Sequence, residues 1–179
     1  MSLNSSAADH SVCIRMENAQ SAGERATVRA VVAAAFGGLE EADLVDQMRA
    51  GEHGLLSLVA EADGGIAGHI LFSRMWIDTS QSLVPAVALA PVAVLPEYQR
   101  KGIGGLLVRR GLELLRDRGE GIVIVVGHPA YYPRFGFSTD AARSLESPFP
   151  REAFMAMELI AGSLDGIRGR VVYPPAFGI

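Results

Sequence analysis

Val92-Ala93-Val94-Leu95-Pro96-Glu97-Tyr98-Gln99-Arg100-Lys101-Gly102-Ile103-Gly104-Gly105 decides how this chain reads. The stretch leaves an apolar strand, turns tightly and enters a long helix. Gly102, Gly104 and Gly105 let the backbone bend sharply and let a ligand approach it closely. The first N–H groups of a helix have no partner within it, and the helix dipole adds partial positive charge there. Such an end holds anions, phosphates above all. Arg100 and Lys101 place two full charges at the same point, which suits a diphosphate. Other phosphate motifs fit badly. A P-loop would need Gly-x-x-x-x-Gly-Lys-Ser/Thr, and a dinucleotide fingerprint would need glycine where Leu107 stands. The bland alternative is a glycine-rich turn before a core helix.

Working outward, Gly102 to Arg118 reads as a helix, with Ile103, Leu106, Leu107, Leu114 and Leu115 at helical spacing and Arg109, Glu113, Arg116 and Asp117 on the other face. Before it, Val84 to Leu95 is almost continuously apolar, as in a strand covered on both faces. Pro91 within it cannot donate a ladder bond and predicts a bulge or a local parting of strands. Further upstream lie helices at Ala22 to Phe36, stopped by Gly37-Gly38, and at Glu40 to Arg49. Strands follow at Leu55 to Ala62 and Gly68 to Ile77, around the hairpin signal Asp63-Gly64-Gly65. Downstream come a strand at Ile122 to Val126, a helical turn or two at Ala130 to Phe135, and strands at Phe154 to Leu159 and Arg170 to Tyr173. This order implies an α/β chain of the α+β kind, a mixed sheet flanked by helices.

Composition narrows the rest. A chain of 179 residues with 49% apolar residues can bury one core. No apolar run reaches the ~18 residues of a membrane span. Residues 1–11 are polar, lack the pattern of a signal peptide, and are expected to be a disordered segment ahead of a single domain at 12–179. The net charge of −4 offers no footprint for nucleic acid. Cys13, the only cysteine, points to a reducing, cytoplasmic setting and reads as a small packing residue at the start of a strand. His10, His53, His69 and His128 lack metal-ligand spacing, so no metal is expected.

Gln99-Arg100-Lys101-Gly102-Ile103-Gly104 resembles the Gln/Arg-x-x-Gly-x-Gly/Ala signature by which GNAT acetyltransferases hold the diphosphate of acetyl-CoA. Val92-Ala93-Val94-Leu95-Pro96 resembles that family's fourth strand, whose free backbone groups pair with the pantetheine arm. A second match is Tyr131-Tyr132-Pro133-Arg134-Phe135-Gly136-Phe137, similar to the Tyr-x-x-x-Gly-Phe segment after the fifth strand, with Gly-Phe opening the next strand. The tail, from Phe154 to Leu159 and Gly169 to Phe177, looks like the YhbS-type subgroup. The resemblance implies a mostly antiparallel mixed sheet whose fourth and fifth strands splay apart, with the thioester in the gap. It implies Val92, Ala93, Val94, Gln99, Arg100, Lys101, Gly102, Ile103, Gly104 and Gly105 as the cofactor-binding set, and acetyl-CoA as the acetyl donor.

The same resemblance implies direct transfer to a primary amine of a small molecule or peptide in a ternary complex. Tyr132 would protonate the departing thiolate, and backbone N–H groups near Val92 to Val94 would polarise the carbonyl. The general base stays open among His128, His69, Glu40, Glu41, Asp43 and water. The acceptor, donors other than acetyl-CoA, and the oligomeric state, a homodimer included, stay open too. A non-catalytic acyl-CoA-binding or sensing module is the alternative.

Overall fold

The computed structural model describes residues 11–179. The segment expected to be disordered, 1–11, lies outside the described residues except for Ser11. Three helices and eight strands follow one another as β1 (Cys13–Met16), α1 (Ala22–Phe36), α2 (Glu40–Ala50), β2 (Gly54–Ala62), β3 (Gly65–Asp78), β4 (Leu83–Val94), α3 (Ile103–Asp117), β5 (Ile122–Val126), β6 (Leu145–Glu146), β7 (Phe154–Glu158) and β8 (Gly169–Val172). The strands form one sheet in the order β1-β2-β3-β4-β5-β7, with β8 beside the end of β3 and β6 beside β8. Only β4–β5 and β6–β8 pair in parallel. The expected mixed, mostly antiparallel sheet is therefore the one observed.

Local chemistry explains the elements. Ser21 caps α1 by accepting a hydrogen bond from the Glu24 N–H, and Gly37 closes it at φ 74°. The β2–β3 hairpin turns through Asp63 (φ 52°) and Gly64 (φ 80°), the left-handed pair that a two-residue turn of this hand requires. Helices α1 and α2 cover one face of the sheet through Val28, Val32, Val45 and Met48 against Val59, Leu71 and Ala93. Helix α3 covers the other, with Leu107, Val108 and Leu115 against Leu58, Phe72 and Val123. An added Cβ at Gly111 would lie 2.2 Å from the Phe72 ring, so glycine there lets α3 sit close on β3. Cys13 does begin a strand, yet it is exposed rather than packed, because β1 is the edge of the sheet.

The splay is visible in the register. β4 pairs with β5 only through Val87↔Val123 and Ala88↔Ile124, whereas its pairing with β3 continues to Val94. The β3–β4 ladder shifts register between Ile70 and Phe72, opposite the break at Pro91. Beyond Ala88 the β5 side of β4 therefore has no strand against it.

A buried polar knot ties β1, α2, β2 and β3 together. Glu17 just after β1 takes an ion pair from Arg49 and a hydrogen bond from the Ser57 hydroxyl. Ser57 Oγ lies 2.8 Å from His69 Nε2. Because the serine proton goes to Glu17, His69 carries its own proton on Nε2, which it shares between Ser57 and the Glu17 carboxylate, whose Oε2 lies 3.5 Å away. Burial pushes the Glu17 carboxyl up, but the hydrogen bonds from His69 and Ser57 and the Arg49 charge outweigh it and hold it at about 2. Burial pushes His69 down, so its ring is neutral. Both groups have folded pKa values below their unfolded ones. Each contributes stability above its unfolded pKa that is lost as pH falls toward the folded value. Chemical unfolding followed against pH should therefore weaken from near pH 6.5 downward, as the unfolded histidine takes up its proton, and again below pH 4.5 as the unfolded Glu17 does. Glu17→Gln removes the buried charge facing Arg49, which keeps only its pair with the more exposed Asp46 at 2.8 Å, and should cost about 3 kcal/mol at pH 7; a loss below 1 kcal/mol would contradict this account of the knot.

Candidate active site

A cleft of about 1140 Å³ opens where β4 and β5 part. Val92 and Val94 of β4, the loop Tyr98 to Gly102, the first turns of α3, His128 after β5, Tyr131, Tyr132, Arg134 and Phe135, and Ala35 of α1 line it. The alternation of the strand decides which residues face it. Val92 and Val94 look into the cleft, while Ala93 points the other way, under α1 and α2, and offers only its backbone.

The loop between β4 and α3 is set by two left-handed residues, Arg100 (φ 61°) and Gly102 (φ 87°). Gly102 is the N-cap of α3 and makes no side-chain cap bond, so the helix's first N–H groups stay available to a ligand. Arginine in that conformation stores strain, and such strain collects where a loop must present its backbone. Gln99 does not reach toward the helix end. Its amide donates to the Val94 carbonyl at 3.0 Å and pins the loop to the end of β4. The Tyr98 hydroxyl donates to Asp63 at 2.8 Å, and the Lys101 ammonium lies 5.1 Å over the Tyr98 ring. All of the expected cofactor-binding residues except Ala93 line this one cleft.

The aromatic wall is built by a 3-10 turn, Tyr132–Phe135, closed by Gly136 at φ 102°. Gly136-Phe137 does not open a full strand. Phe137 is buried in the core, and the next residue, Ser138, makes a single bridge to Ala156. The Tyr132 ring packs edge-on to Phe137 at 5.8 Å and lies over Gly127, where any Cβ would come within 2.2 Å of it. Burial pushes its phenol up to about 12. Tyr131 points across the cleft toward the helix end: its hydroxyl would be 3.0 Å from a Cβ on Gly104. Burial also raises Tyr131, against the opposing charges of Arg134 and Arg109.

The base candidates separate cleanly. His128 is exposed and lines the cleft. His69 is wholly buried in the knot described above. Asp43 is engaged by Arg29 at 2.6 Å, and neither it nor Glu40 or Glu41 lines the cleft. Sequence reasoning missed Tyr131, Arg109, Arg134 and Gly127 as parts of this site. Only Gly127, a glycine directly after a buried strand, carried a signal, that of close approach. Among the described residues no group of three or more His, Cys, Asp or Glu is placed to hold a metal ion, and no helix is long and apolar enough to cross a membrane.

The chain carrying this splayed β4–β5 pair and glycine-rich helix start matches, over residues 18–139, a family model described as Acetyltransferase (GNAT) domain. The chain belongs to the GNAT acetyltransferase family. Within it, the chain is 43% identical over 126 residues to the uncharacterized N-acetyltransferase YjhQ of Escherichia coli, covering 69% of this chain and 70% of that one. The crystal structure of the GNAT protein YhbS from Escherichia coli in complex with CoA superimposes with a TM-score of 0.85 at 31% identity, over 95% of this chain and 93% of that one. A GNAT acetyltransferase from Brucella melitensis in complex with acetyl-CoA gives a TM-score of 0.77 at 36% identity, over 94% and 99%. The GNAT fold and the likeness to the YhbS type, both expected from the sequence, are thus borne out.

Proposed function

We propose that this GNAT protein transfers the acetyl group of acetyl-CoA to a primary amine in a ternary complex, in the cytoplasm, where the donor is available. The observation that carries the reading is the unpaired β5 side of β4 running directly into an uncapped, cation-flanked helix start. One ligand satisfies both features. Its diphosphate meets the N–H groups of Gly102 to Gly105 beside Arg100 and Lys101, and its pantetheine amides pair with the backbone of Val92 to Val94 as an added strand would.

The thioester then lies in the gap between β4 and β5. The amine enters from the His128 end of the cleft, and His128, directly or through a water, accepts the ammonium proton. The free amine attacks the thioester carbon; a β4 backbone N–H stabilises the oxyanion; the C–S bond breaks with its electron pair on sulfur. Tyr132 supplies the proton to that sulfur. A phenol held near 12 is a weaker acid than a free one, so proton transfer is coupled to C–S cleavage and does not precede it. Cys13 lies on β1, the sheet edge three strands from β4, and takes no covalent part.

The test follows thiol release from acetyl-CoA across a panel of primary amines, from small amines to peptide N-termini. With the best acceptor, double-reciprocal plots should intersect, as a ternary complex requires. Parallel lines would indicate a covalent acetyl-enzyme and contradict direct transfer. Binding of acetyl-CoA with no turnover on any amine would favour the non-catalytic module.

A further inference from the structure

The cleft holds more positive charge than a diphosphate needs. In a chain of net charge −4, its lining carries Arg100, Lys101, Arg109 and Arg134 and not one carboxylate. Arg100 and Lys101 flank the start of α3. Arg109 and Arg134 form a second, separate pair. Arg109 follows Gly105 by four residues, so it stands on the same face of α3 about 6 Å further along the axis.

Both guanidinium groups of the second pair are held against one aromatic wall. The Phe135 ring rests on the α3 backbone, 3.8 Å from a Cβ position on Gly105. The Arg109 guanidinium lies 5.0 Å from the Phe135 centroid, and the Arg134 guanidinium 5.9 Å from it and 4.3 Å from that of Tyr131. Arg134 is fixed further by its Nε–H bond to the Tyr131 carbonyl at 2.9 Å. Among the described residues neither arginine has a carboxylate partner; the nearby Glu113 pairs with Arg110 at 3.2 Å. Two arginines without a carboxylate partner, exposed to solvent on one side and stacked on ring faces on the other, form a preorganised fork for a phosphomonoester, which arginine grips through paired N–H donors.

Building on the acetyl-CoA reading above, we infer that Arg109 and Arg134, seated on Phe135, bind the 3′-phosphate of the CoA ribose. That phosphate is the third of the cofactor and is one ribose removed from the diphosphate at Gly102 to Gly105. It carries nearly two negative charges at neutral pH. The pair thus makes the enzyme selective for CoA thioesters over donors that end in pantetheine diphosphate and plain adenosine.

Acetyl-CoA is compared with acetyl-3′-dephospho-CoA by initial rates and by calorimetry. The wild type should show at least a tenfold higher KM and Kd for the dephospho donor with kcat unchanged, since the phosphate lies far from the thioester. The double variant Arg109→Ala, Arg134→Ala should raise the KM for acetyl-CoA by a similar factor and bring the ratio between the two donors toward one. Arg110→Ala, which removes an exposed arginine engaged by Glu113, should change neither donor. Equal kcat/KM for the two donors in the wild type would overturn the assignment while leaving the acetyl-CoA reading intact, and so would full discrimination in the double variant. Failure of the wild type to bind either donor would remove the cofactor reading itself and this inference with it.

Discussion

Tyr132→Phe is expected to lower kcat by about 10²-fold or more while changing the KM for acetyl-CoA by less than about threefold, the pattern of an interaction made only in the transition state. The substitution is close to isosteric. The ring is held by Phe137 at 5.8 Å and by the bare backbone of Gly127, and phenylalanine keeps both contacts. Only the hydroxyl goes, and with it the proton for the departing thiolate. The pH dependence follows from the direction of the shift. In the proposed role Tyr132 acts in its protonated form, and burial moves its loss of that proton up to about 12. The kcat of the wild type should therefore show no falling alkaline limb from this residue below about pH 10.5. An unchanged kcat in the variant would remove Tyr132 from the mechanism; Tyr131, whose hydroxyl faces Gly104, would then be the next residue to vary.

Gly104→Glu should abolish acetyl-CoA binding, with a loss of at least about 100-fold in Kd, or about 2.7 kcal/mol. A Cβ at this position already meets the Tyr131 hydroxyl at 3.0 Å and the Val94 and Val92 methyls at 3.7 and 3.8 Å, so the new side chain occupies the neck of the cleft. Its carboxylate also lies among the free N–H groups and the cations that await the diphosphate, and competes with it. The same substitution should not unfold the protein. Gly104 is the second residue of α3, where glutamate is a better helix former than glycine and its charge favours the helix dipole. Thermal stability equal to or above that of the wild type, together with lost binding, separates blockage of the site from a folding defect. Retained micromolar binding in a folded variant would place the diphosphate elsewhere.

The fold was legible in the sequence wherever periodicity was strong. The 3.6-residue spacing of Ile103, Leu107 and Leu115 and the unbroken run at Val84 to Leu95 located α3 and β4 to within one or two residues. Pro91 announced a bulge or a parting of strands, since a missing donor breaks the ladder inside a buried strand, and the structure shows both, a register shift against β3 and the early end of the β4–β5 pairing. The short parallel pair of β6 and β8 was not legible. Two residues at Leu145–Glu146 carry no period, and their pairing depends on the whole tail folding back beside β3. In the site, glycines and adjacent charges singled out the β4–α3 loop proposed for the diphosphate because backbone geometry depends on local sequence. Arg109 and Arg134 escaped notice because each reads alone as a solvated arginine. Only the turn at Tyr132–Phe135 brings the two onto one ring. His69 shows the reverse error: a histidine among apolar strand residues was kept as a base candidate, and its position under α1 and α2 made it part of a structural knot.

The central claim is that the β4–α3 loop and the parted strands hold acetyl-CoA, and calorimetric titration of the purified wild-type chain with acetyl-CoA tests it most directly. The account predicts one site per chain with micromolar or tighter affinity, weakened by salt because the loop and the arginines meet phosphate charge. Absence of heat, confirmed by absence of any thermal shift with the same ligand, would contradict it and leave a GNAT fold without its donor.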